Sequence, residues 1–273
     1  MFFIKKNKKK LFITPCGDQT HSKHRGPNQF MTTQCQSLTS LNDGSPSGRY
    51  FINDDSSYLI LKRFNAQEFL NKNYVANDTE INNMFEFMYK LPPVPNPRRP
   101  TTFLKRPQVT FSPINYDFGQ KTTTLPYDEN VPDLVKTCKT IVEKVAAEYG
   151  LDNKYNGAHV SMYPNGDAGL DPHEDNENVI DQSVPIASIS FGQTRKFAFY
   201  RRQTDEERRF QIQKSKAKVA PDPKPVKIGS VCLNHGDVII MVKMQTIGIL
   251  HGIVKEPKLQ HPRLNITYRK FSL

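Results

Sequence analysis

The sequence lacks the features that mark a membrane protein, a secreted protein or a cysteine-rich zinc protein. No run approaches the roughly 18 to 20 apolar residues that a membrane span needs. The N-terminal "MFFIKKNKKKLFI" has no apolar h-region, so no secretory signal is predicted. The four cysteines stand far apart without a CxxC pair, which is typical of reduced thiols. We therefore expect an intracellular protein, nuclear or cytoplasmic, that does not bind membranes.

Charge and length limit the remaining possibilities. The formal net charge is +11, which favours a polyanionic partner such as nucleic acid. Apolar residues make up 37% of the 273 residues, enough for one packed core but not for order throughout. We expect a monomer with a basic, polar tail at 1–48 and a single domain at 49–273. Within the domain, 49–156 is predicted to be mainly helical and 157–273 mainly β.

Three helices and an early strand are predicted before Gly150. "VPDLVKTCKTIVEKVAAEYG" has apolar residues spaced three and four apart and predicts the clearest helix, which Gly150 closes. "DTEINNMFEFMYKL" predicts a second helix with Thr79 as its cap, and "NAQEFLNKNYV" a third with Asn65 as its cap. Order is expected to begin at "YLILKRF", residues 58–64. Residues 98–125 are interpreted as a loop and short strands with exposed aromatic side chains.

After Gly150 the pattern changes to short β-branched or aromatic segments bounded by Pro, Gly or Asn. "AHVSMYPNG", "VPIASISFG", "RKFAFYRR", "KIGSVCLNHGDVIIMV", "GILHGIV" and "RLNITYRKF" are such segments. They predict an α+β fold with a β sandwich or barrel. The charged stretch 202–226 interrupts them and is predicted to be a flexible insert between two strands.

The stretch "DPHEDNEN" concentrates carboxylates around His173 in a basic chain. In an extended segment His173 and Asp175 point to the same side, so both could face one metal ion. An oxygenase-type iron(II) centre uses two imidazoles and one carboxylate, which requires a second, distant histidine. The candidates are His235, His251 and His261, and we favour His251 because glycines and apolar residues flank it. The alternative for any such pair is a solvated loop.

Two arginines follow in "HPRLNITYRKF". Arg263 and Arg269 are six residues apart, and on a strand they share one face, whereas Leu264, Ile266 and Tyr268 face the other way. A buried guanidinium is costly without an anion. A dicarboxylate ligand would satisfy both arginines. The alternative is that they pair with Asp or Glu inside the fold.

Together these segments resemble the AlkB family of iron(II)/2-oxoglutarate dioxygenases, which repair alkylated nucleic acid. The resemblance runs from residue 98 to 272 through "SMYPNGDAGLDPHEDNE", "VPIASISFGQTRKFAF", "LNHGDVIIM", "LHGI" and "PRLNITYRKF", and is greatest to the animal homologues that act on DNA. It implies a double-stranded β-helix (jelly-roll) core with an N-terminal nucleotide-recognition lid in 49–156. The positions that match the iron ligands are His173, Asp175 and His251. Those that match the 2-oxoglutarate-binding residues are Tyr163, Arg263, Asn265 and Arg269.

The resemblance also implies substrate contacts. Glu177 matches an acidic residue near the flipped base, and Tyr116 and Phe118 match aromatics that line it, with Phe118 opposite His173. The family often has Asn two residues before the cosubstrate tyrosine, where this chain has Ser161, and no tryptophan is present for stacking. Arg106 is expected to contact substrate. Further candidates for phosphate contacts are Arg98, Arg99, Lys105, Arg201, Arg202, Arg208 and Arg209, although those in the insert could equally belong to a solvated loop.

The implied activity is oxidative demethylation of 1-methyladenine- or 3-methylcytosine-type bases. Fe(II) is required as the cofactor, 2-oxoglutarate and O2 are consumed as cosubstrates, and formaldehyde, succinate and CO2 are released. DNA is favoured over RNA as the nucleic-acid partner. Two alternatives remain: a dioxygenase of the same fold that acts on RNA modifications or protein, and a nucleic-acid-binding module without catalysis.

Overall fold

The computed structural model of the chain describes residues 36–52, 56–64, 78–96, 99–116, 122–215, 222–244 and 247–273. No helix within these ranges has the length and apolar character needed to cross a membrane. The predicted helix at 65–75, the side chains of Arg98 and Phe118, and the predicted tail as far as residue 35 lie outside the described residues.

Three α-helices occur in the described part: α1 (Asp78–Lys90), α2 (Asp133–Glu148) and α3 (Asp205–Lys214). The prediction for α2 is confirmed, because the apolar residues spaced three and four apart are all buried: Leu134, Val135, Cys138, Ile141, Val142, Val145 and Ala146. Gly150 follows with a φ of 70°, a left-handed conformation that glycine adopts without strain. Helix α1 is also confirmed, but Thr79 lies inside it, so the prediction that Thr79 is the cap is wrong.

Fifteen β-strands occur in the same ranges. They are β1 (Gln36–Ser37), β2 (Gly48–Phe51), β3 (Tyr58–Lys62), β4 (Pro95–Asn96), β5 (Arg99–Phe103), β6 (Gln108–Ser112), β7 (Thr123–Pro126), β8 (Gly157–Tyr163), β9 (Leu170–His173), β10 (Ile186–Gly192), β11 (Arg195–Arg201), β12 (Val226–Leu233), β13 (Val238–Val242), β14 (Leu250–Ile253) and β15 (Arg263–Arg269).

The strands from β8 onward form a jelly roll. The larger sheet has the order β1-β2-β3-β13-β10-β15-β8-β6-β7, and the smaller one β12-β11-β14-β9. Along the chain, β8, β10, β13 and β15 belong to the larger sheet, and β9, β11, β12 and β14 to the smaller one. The chain therefore passes back and forth between two sheets, as a double-stranded β-helix requires, and the predicted α+β jelly-roll fold is confirmed.

Alternation along β15 divides its side chains between the core and the space between the sheets. Leu264, Ile266 and Tyr268 pack in a large apolar cluster with α2, as predicted. The alternate residues of the strand face the other side: Arg263, Asn265, Thr267 and Arg269. Strand β8 alternates in the same way and pairs antiparallel with β15, with Tyr163 opposite Arg263 and Ser161 opposite Asn265.

Three segments differ from the sequence-based expectations. Ordered structure begins before residue 58, because β1 and β2 precede it and Leu38 and Leu41 are buried. The aromatic side chains Phe111 and Tyr116 are buried, so the expectation of exposed aromatics in 98–125 is wrong for them. The insert lies between β11 and β12 as predicted, but it contains α3, which has a capping box formed by Thr204 and Glu207.

Candidate functional site

The two predicted histidines and the aspartate come together because two strands of the smaller sheet pair. Strand β9 ends at His173, and β14 carries His251; the two strands are antiparallel with these histidines directly opposite one another. Asp175 lies just beyond the end of β9 and is 1% exposed. The other candidate histidines lie elsewhere. His235 packs edge-on against Phe191, and among the described residues the cluster that could hold a metal is His173, Asp175 and His251.

The distances within this cluster suit a single metal ion. The potential ligand atoms all lie within 4.8 Å of one another. His173 Nε2 is 3.5 Å from Asp175 Oδ1, and His251 Nε2 is 3.7 Å from Asp175 Oδ2. Adjacent ligands of a metal with bonds of about 2.1 Å are about 3 Å apart, so small side-chain adjustments would bring these atoms into coordination.

The protonation states also suit a metal. Burial would raise the pKa of Asp175, but Arg269 and the two histidines outweigh it and hold that pKa well below its usual range. Burial, assisted by His173, lowers the pKa of His251 to about 3. At neutral pH the carboxyl group is therefore an anion and the His251 imidazole is neutral, which are the forms that bind metal.

Arg269 binds the candidate metal ligand directly. Its Nη2 donates to Asp175 Oδ1 at 2.9 Å, and the two side chains are only 5% and 1% exposed. One of the alternatives for the arginines, pairing inside the fold, is therefore correct for Arg269. Its Nε and Nη1 are nevertheless buried and have no hydrogen-bond partner among the described residues.

Arg263 has no such carboxylate partner among the residues that the structure describes. Its Nη2 donates to Ser190 Oγ at 2.8 Å and to Asn265 Oδ1 at 2.9 Å, while Nε and Nη1 are buried without a partner in the described part of the chain. Burial lowers the pKa of Arg263 to about 10, which still leaves a cation at neutral pH. Unmatched buried guanidinium donors are the groups that a bound carboxylate would satisfy.

Tyr163 lies among three cationic side chains at this end of the site. The guanidinium carbons of Arg263, Arg106 and Arg195 lie 5.3, 5.5 and 5.7 Å from its ring centroid. Arg106 Nη1 also donates to Tyr163 Oη at 3.1 Å. Arg106, predicted to contact substrate, therefore lies beside the tyrosine predicted to bind the cosubstrate.

A cleft between the two sheets connects the metal cluster to Arg106 and Tyr163. The cleft encloses about 490 Å³ of empty space, part of which is open to solvent. Its lining combines the three candidate metal ligands with polar residues of the larger sheet and a few apolar ones: Arg106, His159, Ser161, Tyr163, Leu170, His173, Asp175, Ser188, Phe197, Met241, His251, Ile253, Asn265, Thr267 and Arg269. The cleft can thus hold a metal ion and an anionic ligand together.

Two residues beyond Asp175 in the chain, Glu177 accepts a hydrogen bond from Tyr116. Tyr116 Oη is 3.1 Å from Glu177 Oε1, and Glu177 Oε2 is buried without a hydrogen-bond partner in the described ranges. The Tyr116 ring also packs on Phe271 with ring centroids 5.2 Å apart. Tyr116 therefore packs in the core through its ring and contacts Glu177 through its hydroxyl group.

The arginines at the start of the insert are already paired with carboxylates. Arg201 makes two hydrogen bonds of 2.7 Å to Glu207. Arg202 donates to Glu174 at 2.8 Å, which ties the insert to the segment between His173 and Asp175. The Glu174 side chain is only 9% exposed.

A family model described as the 2OG-Fe(II) oxygenase superfamily matches residues 69–269. The chain belongs to this superfamily. The match runs through the cleft, the His173–Asp175–His251 cluster and both arginines of β15. Iron(II), 2-oxoglutarate and O2 are the cofactor and cosubstrates that the superfamily implies.

Curated relatives support the resemblance to AlkB. The human protein "Alpha-ketoglutarate-dependent dioxygenase alkB homolog 3" is 26% identical over 136 residues, which cover 50% of this chain and 42% of the relative. The human "DNA oxidative demethylase ALKBH2" is 28% identical over 119 residues, covering 44% and 41%. The matched part spans less than half the length of these relatives. A solved structure of OsALKBH1 aligns with a TM-score of 0.38 and 15% identity, covering 81% of this chain and 99% of that one.

His159 is a further polar residue of the cleft that the motifs do not single out. His159 is 7% exposed, lines the cleft, and hydrogen-bonds to Ser161 and to Thr110. The available signal was the alternation of "AHVSMY", in which His159, Ser161 and Tyr163 share one face of β8. That alternation predicts a polar face on the strand, and the structure shows that this face lines the cleft.

Proposed function

We propose that this chain is an iron(II)- and 2-oxoglutarate-dependent dioxygenase that removes N-methyl groups from bases in nucleic acid. The observation that carries the proposal is the cluster of His173, Asp175 and His251 beside two buried arginines with unmatched donors. Two imidazoles and one carboxylate are the ligand set of non-haem iron(II) oxygenases. Membership of the superfamily and the AlkB-type relatives support the same conclusion.

In the proposed site His173, Asp175 and His251 hold the metal. When bound, iron(II) with 2-oxoglutarate and O2 supplies the oxidation of the N-methyl group, and the products are succinate, CO2, formaldehyde and the demethylated base. The protein positions the reactants and limits water. Arg269 orients Asp175 and partly neutralises it through the 2.9 Å hydrogen bond.

The cosubstrate is proposed to lie along β15 and β8. Arg263 offers Nε and Nη1 to one carboxylate, and Asn265 holds Nη2 of the same guanidinium at 2.9 Å. Tyr163 adds its hydroxyl group, which accepts from Arg106 and can donate its own proton to the ligand. Because these donors are buried, their hydrogen bonds to an anion are stronger than they would be in water.

The proposed substrate is a methylated base that has left the stack. Chemistry on a base requires extrusion from the duplex or a single strand. Glu177 Oε2 is a buried acceptor two residues beyond Asp175 in the chain, suited to the amino group of an adenine or cytosine ring. The net charge of +11 favours nucleic acid over most proteins as the partner. The name of one relative specifies DNA, which favours DNA over RNA here.

The test is a product assay on matched oligonucleotides. Single- and double-stranded DNA and RNA that carry 1-methyladenine or 3-methylcytosine are incubated with protein, Fe(II), 2-oxoglutarate and O2. We expect formaldehyde and succinate in equal amounts with at least one methylated oligonucleotide, and no formaldehyde with its unmethylated control. His173→Ala should abolish turnover while oligonucleotide affinity stays roughly unchanged.

The same assay separates the alternatives. Succinate formation stimulated only by methylated RNA or by a protein would identify a different substrate for the same chemistry. Oligonucleotide binding with no succinate under any condition would identify a non-catalytic binding module and overturn the proposal. The nuclear or cytoplasmic location, the monomeric state and the domain boundaries stay predictions.

A further inference from the structure

A chain of three polar side chains crosses from β6 to the floor of the cleft. Thr110 and His159 are directly opposite one another where β6 and β8 pair. Thr110 Oγ1 lies 2.8 Å from His159 Nδ1, and His159 Nε2 lies 3.1 Å from Ser161 Oγ. Ser161 and His159 line the cleft, whereas Thr110 does not. Thr110 Oγ1 also lies 3.4 Å from Thr122 Oγ1, but its connection to the cleft in this chain of contacts runs through His159.

The imidazole in this chain is neutral. His159 is buried, and burial, with Arg269 and Arg106 nearby, lowers its pKa well below the usual range. A neutral imidazole has one nitrogen that donates and one that accepts. The two hydrogen bonds of His159 must therefore run in the same direction along the chain.

The direction determines what Ser161 can offer to the cleft. If Thr110 donates to Nδ1, then Nε2–H donates to Ser161 Oγ, and the Ser161 hydroxyl proton is free to point at a ligand. If Nδ1–H donates to Thr110 instead, Nε2 accepts a hydrogen bond from the Ser161 hydroxyl group. Ser161 then presents only lone pairs to the cleft. An anionic ligand accepts hydrogen bonds and repels lone pairs, so it selects the first arrangement.

We propose that Thr110 and His159 are positioning residues that fix Ser161 as a hydrogen-bond donor to a carboxylate of 2-oxoglutarate. This inference rests on the proposed function, because it takes 2-oxoglutarate as the ligand of the cleft. Ser161 lies opposite Asn265 in the β8–β15 pair, within the row of polar side chains that includes Tyr163 and Arg263. A serine hydroxyl can rotate, so a donor from His159 is what holds its proton toward the cleft.

The tautomer of His159 can be measured without any turnover. Nitrogen-15 NMR of histidine-labelled full-length protein, loaded with Zn²⁺ and 2-oxoglutarate, distinguishes Nε2–H from Nδ1–H by their chemical shifts and couplings. His159→Leu identifies the signal. We expect Nε2–H. An Nδ1–H tautomer in the ligand-bound protein would overturn the proposal, because Ser161 would then have no proton to donate.

Binding of 2-oxoglutarate to the Mn²⁺-loaded protein, measured by calorimetry without O2, provides the second test. Thr110→Val keeps the shape of the side chain and removes its hydroxyl group. We expect it to weaken 2-oxoglutarate about ten-fold, which corresponds to about 1.4 kcal/mol. Ser112→Ala is the matched control, since it also removes a buried hydroxyl from β6, and Ser112 does not line the cleft.

A double-mutant cycle separates positioning from a general structural effect. In a Ser161→Ala background, Thr110→Val should cause no further loss of 2-oxoglutarate affinity. In turnover, Thr110→Val should raise the KM for 2-oxoglutarate with little change in kcat. Equal losses in both backgrounds, or unchanged binding in Thr110→Val and His159→Leu, would overturn the relay. Absence of 2-oxoglutarate binding to the unmodified protein would instead contradict the proposed function.

Discussion

Arg269, the last residue of β15, donates a hydrogen bond of 2.9 Å to Asp175, just beyond the end of β9. The two residues are 94 positions apart in the chain, and both are buried. This pair joins the larger sheet, which carries the proposed cosubstrate-binding row, to the metal-binding segment of the smaller sheet. The geometry of the metal ligands therefore depends on a residue that need not touch the metal.

Arg269→Met should destabilise the metal-free protein. The substitution leaves the Asp175 carboxylate buried without its main counter-charge, and breaking a buried ion pair in this way costs about 3–5 kcal/mol. Urea unfolding at pH 7 measures the effect, with Arg269→Lys as the variant that keeps the charge. Near-normal stability of Arg269→Met would mean that the two histidines alone suffice to compensate Asp175.

Arg263→Met should have the opposite pattern. The Arg263 guanidinium is buried with two unmatched nitrogens and no carboxylate partner among the described residues, so its replacement by an apolar side chain should not lower the stability of the metal-free protein. The same variant should lose at least a hundred-fold in 2-oxoglutarate affinity if this side chain binds the cosubstrate. Urea unfolding and calorimetry give the two measurements. A large loss of stability with unchanged affinity would assign Arg263 to the core instead.

The contrast between the two arginines shows how far the sequence could predict this site. Alternation along "RLNITYR" placed both on one face, and the structure confirms it. It could not say which of them pairs inside the fold, because Asp175 reaches Arg269 only through the packing of two sheets. The same limit applies to His173, since "LDPH" contains a proline and no β pattern, and its pairing with β14 is a tertiary contact.

Other differences arise where local signals and packing disagree. Tyr116 follows a proline-containing turn, and this local sequence predicts an exposed side chain. In the structure it packs against Ile180 and Phe271 from distant segments. The capping box of Thr204 and Glu207 is present in "TDEE", but the polar composition of the insert favours a flexible segment over a helix. The buried face of α2 was predictable in full, because a long periodic pattern specifies its own environment.

The metal-free protein should lose stability as the pH falls below about 6.5, the unfolded pKa of histidine. Between that value and the folded pKa of about 3 for His251, the unfolded chain binds a proton that the folded protein does not. The slope per such group is at most about 1.4 kcal/mol per pH unit. Asp175 contributes only below about pH 4, because its folded pKa is lowered, not raised.

His251→Gln provides the check on this pH dependence. Urea midpoints of the metal-free proteins are compared from about pH 4.5 to about 7.5, a range that begins above the ordinary aspartate pKa of about 4 and extends past the unfolded histidine pKa of about 6.5. The variant should be less stable at pH 7 and fall less steeply toward low pH. Parallel curves would mean that His251 does not remain neutral in the folded state and that another group, such as His159, carries the dependence.

Helix α3 should depend on its cap more than on packing, because none of its residues is buried. Thr204→Ala removes the acceptor for the Glu207 backbone N–H, at a cost of about 0.5–2 kcal/mol to the helix. We expect faster hydrogen exchange of the α3 amides with no change in the global unfolding midpoint. Glu206→Gln is the control, since this residue lies in the first turn outside the capping box. A lowered global midpoint would show that α3 is coupled to the core.

Tyr116→Phe should affect the methylated substrate and not the cosubstrate. The variant keeps the ring that packs on Phe271 and removes the hydrogen bond to Glu177 Oε1. Without this bond Glu177 is less well oriented, and we expect the KM for the methylated oligonucleotide to rise about ten-fold, or about 1.4 kcal/mol. The affinity of the variant for 2-oxoglutarate, measured by calorimetry, should stay within about two-fold of that of the unmodified protein, which is roughly the uncertainty in the contribution of one hydrogen bond. Asn178→Ala, an exposed neighbour of Glu177, is the control. Equal losses for oligonucleotide and 2-oxoglutarate would assign the pair to the architecture of the metal site, not to the base.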